Sequence, residues 1–404
     1  MDENKECLKR SRDEESSDDV SNLKKRKVDN AASSSLKSET SNEVDSEGIF
    51  SLSDDVLLIL LSYLNSTDLF HLSRCDPRLF DICGDKSLWV KVNANCDGSC
   101  PSHNEQALFF HPATTHLRFV KTISNDNVTV DTCFKDDFFH TLSNYAPNLK
   151  SLVIENHILC SPAFTLENLP ATITELRLPR VELLHSDQEK KSNLFQNINK
   201  MLPNLEIVDA SYCQWFNPHA LLALGKCEHL KELRIAGCRN LKDFIPYASI
   251  AAIIGFQQLH TLDLRYTGIV DREIACFNKT KSLKHIFLEK PDDIEDLTSD
   301  ESVTDVCTTS FCMRSCETNH SPNIVFITRI PQDGGTFTDY TLETLVVRNY
   351  PGITDITLKH AQKCLKSLKY LDVTGCSCTP QQASIFKQNR PEVELIYDGV
   401  ALEL

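Results

Sequence analysis

The densest set of residues capable of chemistry is Cys307, Cys312, Cys316 and His320, a C-x4-C-x3-C-x3-H run. Thiolates and imidazoles in such numbers are the donors of tetrahedral zinc sites. Flanking apolar residues that would fix the geometry are missing, and a second set, Cys96, Cys100 and His103, offers only three donors with no finger-like second pair. No metal and no cofactor is assigned. Catalytic patterns are missing as well: the chain has no H-E-x-x-H, no G-x-S-x-G and no phosphate-cradling glycine motif, with only 12 glycines in all. The expectation is a chain that binds and is not an enzyme in itself.

Composition narrows what it binds. A net charge of -15 argues against nucleic acid as the main partner, because phosphate binding needs a cationic face. No apolar run approaches the roughly eighteen residues of a membrane span. The first residues, MDENKECLKRSRDEE, are charged where a secretion signal needs an apolar core, so a cytosolic or nuclear location is expected. In that reducing setting the 17 cysteines should be mostly free thiols, and the acceptor-like triplets at Asn127 and Asn278 chance matches.

The elements that must position any binding surface divide the chain into six stretches. Residues 1–47 are polar and charged with few large apolar side chains, which predicts a disordered tail. Lys9 and Arg10, then Lys24, Lys25, Arg26 and Lys27, form two basic clusters suited to nuclear import, implying a nuclear and cytoplasmic protein. Ser16 and Ser17, set among acids, are candidate sites for a phosphorylation that would weaken those clusters.

Residues 48–92 read as three short helices. Leu57, Leu60, Leu61 and Leu64 recur at helical spacing after Ser53-Asp54, Leu69 and Leu72 follow an Asn65-Ser66-Thr67 break, and Asp76-Pro77 opens a third helix with Phe80, Ile82 and Cys83 as its apolar side. Val56, Leu58 and Ile59 widen the apolar surface beyond one stripe, which implies a partner. The pattern L-x-D-D-V-L-L-x-x-L-S-Y-L, then D-L-x-x-L-S-R and S-L-W, resembles an F-box. Ser53 stands where that family usually has proline, Asp76-Pro77 replaces a Cys-Arg pair, and Leu79 takes a common tryptophan position. The resemblance implies docking onto the Skp adaptor and cullin of an SCF ubiquitin ligase, through Leu52, Val56, Leu57, Leu60, Leu64, Leu69, Leu72 and Trp89.

An irregular linker is expected over 93–115, and repeats over 116–288. The motif L-x-x-L-x-L recurs from Leu149, Ile173, Leu205, Leu230, Leu259 and Leu283, at intervals of 24, 32, 25, 29 and 24 residues, and again from Leu342 and Leu368, with a weaker copy at Leu117 and Val120. It resembles the leucine-rich repeat, which implies an α/β fold with a curved parallel sheet and convex helices, a horseshoe behind the F-box unit. Asn217-Pro218 and Gly352-Ile353-Thr354-Asp355 read as openings of return helices. Cys213, Cys238 and Cys376 share one repeat position and resemble the cysteine-containing class of repeat, with a structural role. Between Leu283 and Leu342 the period fails; residues 289–322 carry nine acids against two bases, a net of -7, and are expected to be a disordered acidic insertion bearing possible phosphosites at Thr298 and Ser302. Residues 323–404 should hold an irregular strand at 324–328, the last repeats and a cap.

Function is then expected on the face of the sheet away from the helices. Side chains between the second and third apolar positions should stand out to solvent there, together with the column that follows. Arg177, Arg234, Arg265 and Arg348 are read as cationic anchors, Tyr266 and Phe287 as aromatic ones, with Asp209 and Asp263 beside them. The resemblance implies a substrate-recognition subunit that presents a protein target for ubiquitination. The alternative is a repeat scaffold or nuclear interaction protein whose helices only cap the array.

Overall fold

The computed structural model describes residues 48–96, 109–121, 134, 138–160, 164–184, 194–241, 256–274, 277, 280, 282–291, 302–311 and 341–402. The basic clusters of the tail, Cys100, His103, Thr298, Cys312, Cys316, His320 and the strand expected at 324–328 lie outside them. Gly48 to Leu52 belong to a first unit, of which a single 3-10 turn, Ile49–Ser51, is described. All that follows belongs to the second unit.

That unit opens with α1 (Asp54–Leu61), α2 (Ser66–Ser73) and α3 (Pro77–Cys83). Asn65 caps α2 by accepting from Asp68 N at 2.9 Å, so this helix starts slightly earlier than the break in the sequence suggests. Asp76 caps α3 with proline at its first position, as expected. Leu57, Leu61, Leu69, Phe70, Leu79, Ile82, Cys83, Leu88 and Trp89 make the core, and Arg78 ties α3 to α1 through both Nε (2.9 Å) and Nη2 (2.6 Å) on Asp54 Oδ1. Two details differ from the sequence reading. The four leucines read at helical spacing do not share one core stripe, since Leu60 in α1 and Leu64 just beyond its end face solvent; and Leu79, not Phe80, is the third buried residue of α3. A helix packed on two neighbours buries only the arc between them, and α1 has more apolar residues than that arc holds.

Twelve strands then form one sheet in strict chain order: β1 (Lys91–Cys96), β2 (His116–Lys121), β3 (Ser151–Glu155), β5 (Glu175–Arg177), β7 (Ile207–Asp209), β8 (Glu232–Arg234), β9 (Thr261–Asp263), β10 (His285–Glu289), β11 (Thr344–Arg348), β12 (Tyr370–Asp372), β13 (Glu394–Tyr397) and β14 (Val400–Ala401). All neighbours are parallel except β14, which turns back on β13 through Asp398-Gly399, both at positive φ as a tight hairpin turn requires. A small parallel pair, β4 (Ile158–Cys160) with β6 (Glu182–Leu184), lies beside it. Every leucine-type position of the eight complete L-x-x-L-x-L copies is buried. Each such side chain contributes on the order of 2 kcal/mol, but only because the next repeat covers it.

The sheet begins earlier than the repeat motif does. β1 occupies the end of the helical stretch and the start of the expected linker, with Trp89, Val92 and Ala94 in the three core positions. A tryptophan and two small residues escape a leucine template. The weak copy is likewise shifted: Leu117 pairs with Leu152 and Phe119 with Ile154, so Phe119, not Val120, is its inward residue.

Return helices supply the other face: α4 (Phe138–Tyr145), α5 (Ile198–Met201), α6 (Pro218–Leu224), α7 (Asp271–Ile274), α8 (Asp305–Ser310), α9 (Asp355–Cys364) and α10 (Pro380–Asn389). Asn217 caps α6 on Ala220 N at 3.1 Å, and Thr354 caps α9. Helix α8 corrects the expectation of disorder over residues 302–311, within the stretch 289–322. Val303, Cys307 and Phe311 recur at a spacing of four and are buried, so residues 302–311 pack as the return helix of the β10 repeat. Cys307 is wholly buried, with its thiol held protonated by that burial, and Ser302 is buried too, which leaves neither a metal-facing thiolate nor an accessible phosphosite at those positions.

A threonine–aspartate ladder joins the last four return helices. Thr304, Thr354 and Thr379 each donate Oγ1–H to an aspartate of the preceding helix, to Asp271 at 2.5 Å, Asp305 at 2.6 Å and Asp355 at 2.9 Å, and each backbone N–H reaches the other carboxylate oxygen. Asp305 also accepts from Thr357 N and Oγ1. Replacing Asp305 with alanine strands these donors at the α8–α9 seam, and a loss on the order of 3 kcal/mol is expected. The check is the urea midpoint, with Asp305→Asn recovering part of the loss; an unchanged Asp305→Ala midpoint would show that the ladder is dispensable.

Candidate functional site

Lateral register places one row across the open face. Asn93, Arg118, Val153, Arg177, Asp209, Arg234, Asp263, Phe287, Val346, Asp372 and Ile396 are successive cross-strand partners. The anchor residues read from the sequence are thus brought together: Arg177, Asp209, Arg234, Asp263 and Phe287 sit within this row, while Arg265 and Arg348 come from the next column. One strand per repeat, three inward apolar positions and this unbroken register define the architecture. It is a leucine-rich-repeat fold.

No family model matches the chain. No curated protein matches it either. Among solved structures it is similar to an internalin from Listeria monocytogenes, at 15% identity over 83% of this chain and 76% of that chain, with a TM-score of 0.44. It is also similar to the yeast Rad7 and Elc1 complex (14% identity, 86% and 70% covered, TM-score 0.42) and to TLR13 in its complex with ssRNA13 (15% identity, 78% and 37% covered, TM-score 0.43).

The arginines read as cationic anchors all take part in ion pairs. Arg177 bonds Glu175 through Nε and reaches Glu232 at 3.3 Å and Asp209 at 3.7 Å. Arg234 Nε donates to the same Glu232 at 2.6 Å. Arg265 grips Asp263 with Nε at 3.0 Å and Nη2 at 2.7 Å, and Arg348 grips Asp372 with 2.8 and 2.5 Å. Asp263 and Asp372 do not stand out to solvent as expected: they are only 3% and 0% exposed, because the guanidiniums lie over them. Buried carboxylates must be satisfied, and Asp372 is, with Thr374 N and Oγ1 on its other oxygen at 3.0 and 2.7 Å.

Burial alone would push the Glu175 carboxyl up, but hydrogen bonds from Arg177 and Ser151 and the Arg177 charge hold it below the ordinary glutamate range. A carboxylate depressed in the native state adds stability that is present above its unfolded pKa and lost as the pH falls through the native value. Burial and the bond to Glu289 push the Tyr266 phenol up to about 12, which keeps it a donor.

Aromatic residues form a second feature along the rim, which the sequence reading missed apart from Tyr266. Two residues beyond the third apolar position the backbone is left-handed in seven repeats, at Asn156, Arg180, Tyr212, Gly237, Tyr266, Asn349 and Gly375. The Arg180 guanidinium lies 4.8 Å from the Tyr212 ring, and Tyr212 and Tyr266 come within 6.5 Å across the intervening repeat. Gly237 makes that possible: a Cβ there would stand 2.4 Å from the Tyr212 ring. The signal was present in the spacing, since Tyr212 and Tyr266 occupy one repeat position.

Cysteines at the next position act as donors. The thiols of Cys213, Cys238 and Cys376 reach the carbonyls of Leu178, Ala210 and Val347 in the preceding repeat, at 2.9, 3.1 and 3.2 Å. Burial raises the Cys238 thiol to about 12 and Cys376 to about 11, so they stay protonated and unreactive. Among the described residues, no group of three or more His, Cys, Asp or Glu could hold a metal ion, and no helix is long and apolar enough to cross a membrane.

The residues read as adaptor-binding separate into three sets. Val56, Leu60 and Leu64 are exposed; Leu52 and Leu72 are half-buried; Leu57, Leu69 and Trp89 are core. Ile59, 61% exposed, and Tyr63 extend the exposed set; the sequence reading had Ile59 in the widened apolar surface but not among the adaptor-binding residues, and did not name Tyr63 there.

Two outcomes are expected on this face. Gly237→Ala should cost about 1–3 kcal/mol and displace Tyr212, seen as a lower melting temperature with the tyrosine ring resonances shifted. Glu175→Gln should lower the urea midpoint at pH 7, and its gap from the wild type should close as the pH falls through the native Glu175 value; a gap independent of pH would assign the effect to packing.

Proposed function

We propose that this chain is the substrate-recognition subunit of an SCF ubiquitin ligase, docking on the Skp adaptor through α1 and presenting a protein target on the open face of the sheet. The observation that carries the reading is the exposed apolar surface of α1 and the turn that follows it. Val56, Ile59, Leu60, Tyr63 and Leu64 remain uncovered although the three-helix core is complete beneath them. Surface of this kind on a small helical unit is a binding surface, and it lies within the segment that resembles an F-box.

Proximity is the mechanism. Trp89 belongs at once to the helical core, donating Nε1–H to Cys83 O at 2.6 Å, and to the first repeat, where it fills the leading apolar position. Ser66 Oγ also donates to Asn93 O of β1, at 2.7 Å. The dock and the sheet are one packed body, so a target on the face is held at a set distance from whatever the dock engages, raising the local concentration of its lysines. The ligase carries the bond chemistry; this chain contributes position. The two basic clusters of residues 1–47 would take it to the nucleus, with a cytoplasmic pool.

Core residues make poor probes of docking, because Leu57→Asp would bury a charge and open the helices. Ile59→Asp with Leu60→Asp should abolish co-purification of the Skp adaptor and leave the melting temperature of the repeats within about 2 °C of the wild type. Retained adaptor binding by that variant, or failure of the intact chain to bind where a control F-box succeeds, would leave the helices as a cap on a non-ligase scaffold.

A further inference from the structure

Four adjacent strands, β9 to β12, enclose a shallow depression of about 330 Å³ on the open face, lined by Arg265, Phe287, Thr344, Val346, Arg348 and Tyr370. Its floor is apolar: Phe287 and Val346 are cross-strand partners. In the same row Asp263 lies beside Phe287 and Asp372 beside Val346, both buried. Each aspartate holds one wall of the depression in place, taking Nε and Nη2 of Arg265 or Arg348. A guanidinium has five N–H donors and each aspartate takes two, so N–H groups remain on each arginine, those of Arg348 shared with the Tyr370 hydroxyl. Arg265 also lies over the Phe287 ring, 5.7 Å from its centre.

The charge balance decides what fits. Glu289, also buried, lies within electrostatic reach of both arginines. Two guanidiniums are thus matched by three carboxylates. A phosphate or a carboxylate would find these cations already neutralised, with buried negative charge behind them. An uncharged side chain would instead be enclosed by Phe287, Val346 and the flat faces of the arginines, while the backbone carbonyls on either side of it accept from N–H groups the aspartates leave over.

We propose that this depression is the anchor pocket of the target face, receiving one apolar or aromatic side chain from an extended segment of a partner protein and not a phosphorylated or acidic residue. The proposal rests on the reading that the open face receives a protein target, and it names the chemistry of that target.

The test uses the purified full chain and fluorescently labelled short peptide pools, acetylated and amidated, that differ only in a fixed central residue: Trp, Phe, Leu, Asp, phosphoserine or Lys. Binding is followed by anisotropy. Pools centred on Trp, Phe or Leu should bind at least about tenfold tighter than those centred on Asp or phosphoserine, a difference of one bulky contact. Their affinity should change less than about threefold between about 50 and 500 mM salt, since no net charge is recruited. Val346→Lys, which puts an ammonium into the pocket, should abolish the preference, and Phe287→Ala should weaken binding about tenfold, both with urea midpoints checked. Preference for phosphoserine, Asp or Lys with steep salt dependence would overturn the proposal. So would pools that do not distinguish the wild type from either variant, or self-association broken by Val346→Lys, which would make a second copy the occupant. Co-purification of the Skp adaptor is measured on the same variants. If peptides fail while the adaptor binds, the pocket falls and the ligase reading stands; if the adaptor fails while peptides bind, the reverse holds.

Discussion

A three-residue parallel strand cannot satisfy its own backbone, and in this molecule nearly every strand of the long sheet depends on its two neighbours to do so. The hydrogen bonds between repeats are therefore the constraint from which the rest follows. They fix the lateral register, and the register decides which side chains from distant parts of the sequence stand together. Side chains reinforce the same seam: cysteine thiols reach back one repeat on the loop side, and threonine hydroxyls do so between return helices. Stability in such an array is a sum of neighbour terms, so damage at one seam is felt first by the repeats that share it.

How much of this could be read from the sequence depended on whether a feature was local. The leucine-type positions are a matter of spacing within one repeat, and all eight complete copies proved buried. Trp89, Val92 and Ala94 do the same work with other side chains and were invisible to the template. Helix α8 was obscured by the acids in front of it, although Val303, Cys307 and Phe311 already had helical spacing. In α1 the count of apolar residues was legible, but which of them face the core depends on where α2 and α3 pack.

The open face shows the sharper limit. Residue types there were legible, and so was the column each occupies. Their charge state as a group was not, because Arg348 meets Asp372 from a neighbouring strand and Arg177 meets Glu232 from two strands away. Arginines that read as anchors in one dimension are members of shared ion-pair clusters in two. The aromatic rim has the same origin: Tyr212 and Tyr266 meet only because Gly237 in the intervening repeat has no side chain.

The step from β10 to β11 has a further consequence. Between Glu289 and Thr344 the chain runs about twice the usual distance, yet the two strands pair over five residues without any break in register. Closing a longer excursion costs only about 0.6 kcal/mol for each doubling of its length, far less than the neighbour bonds return. That junction can thus absorb insertions and deletions that would scramble a fold built on intertwined contacts. The array behaves there like a bound book into which pages can be slipped: added sequence lengthens the connection and leaves the pairing of β10 with β11, and with it the geometry of the anchor pocket, in register.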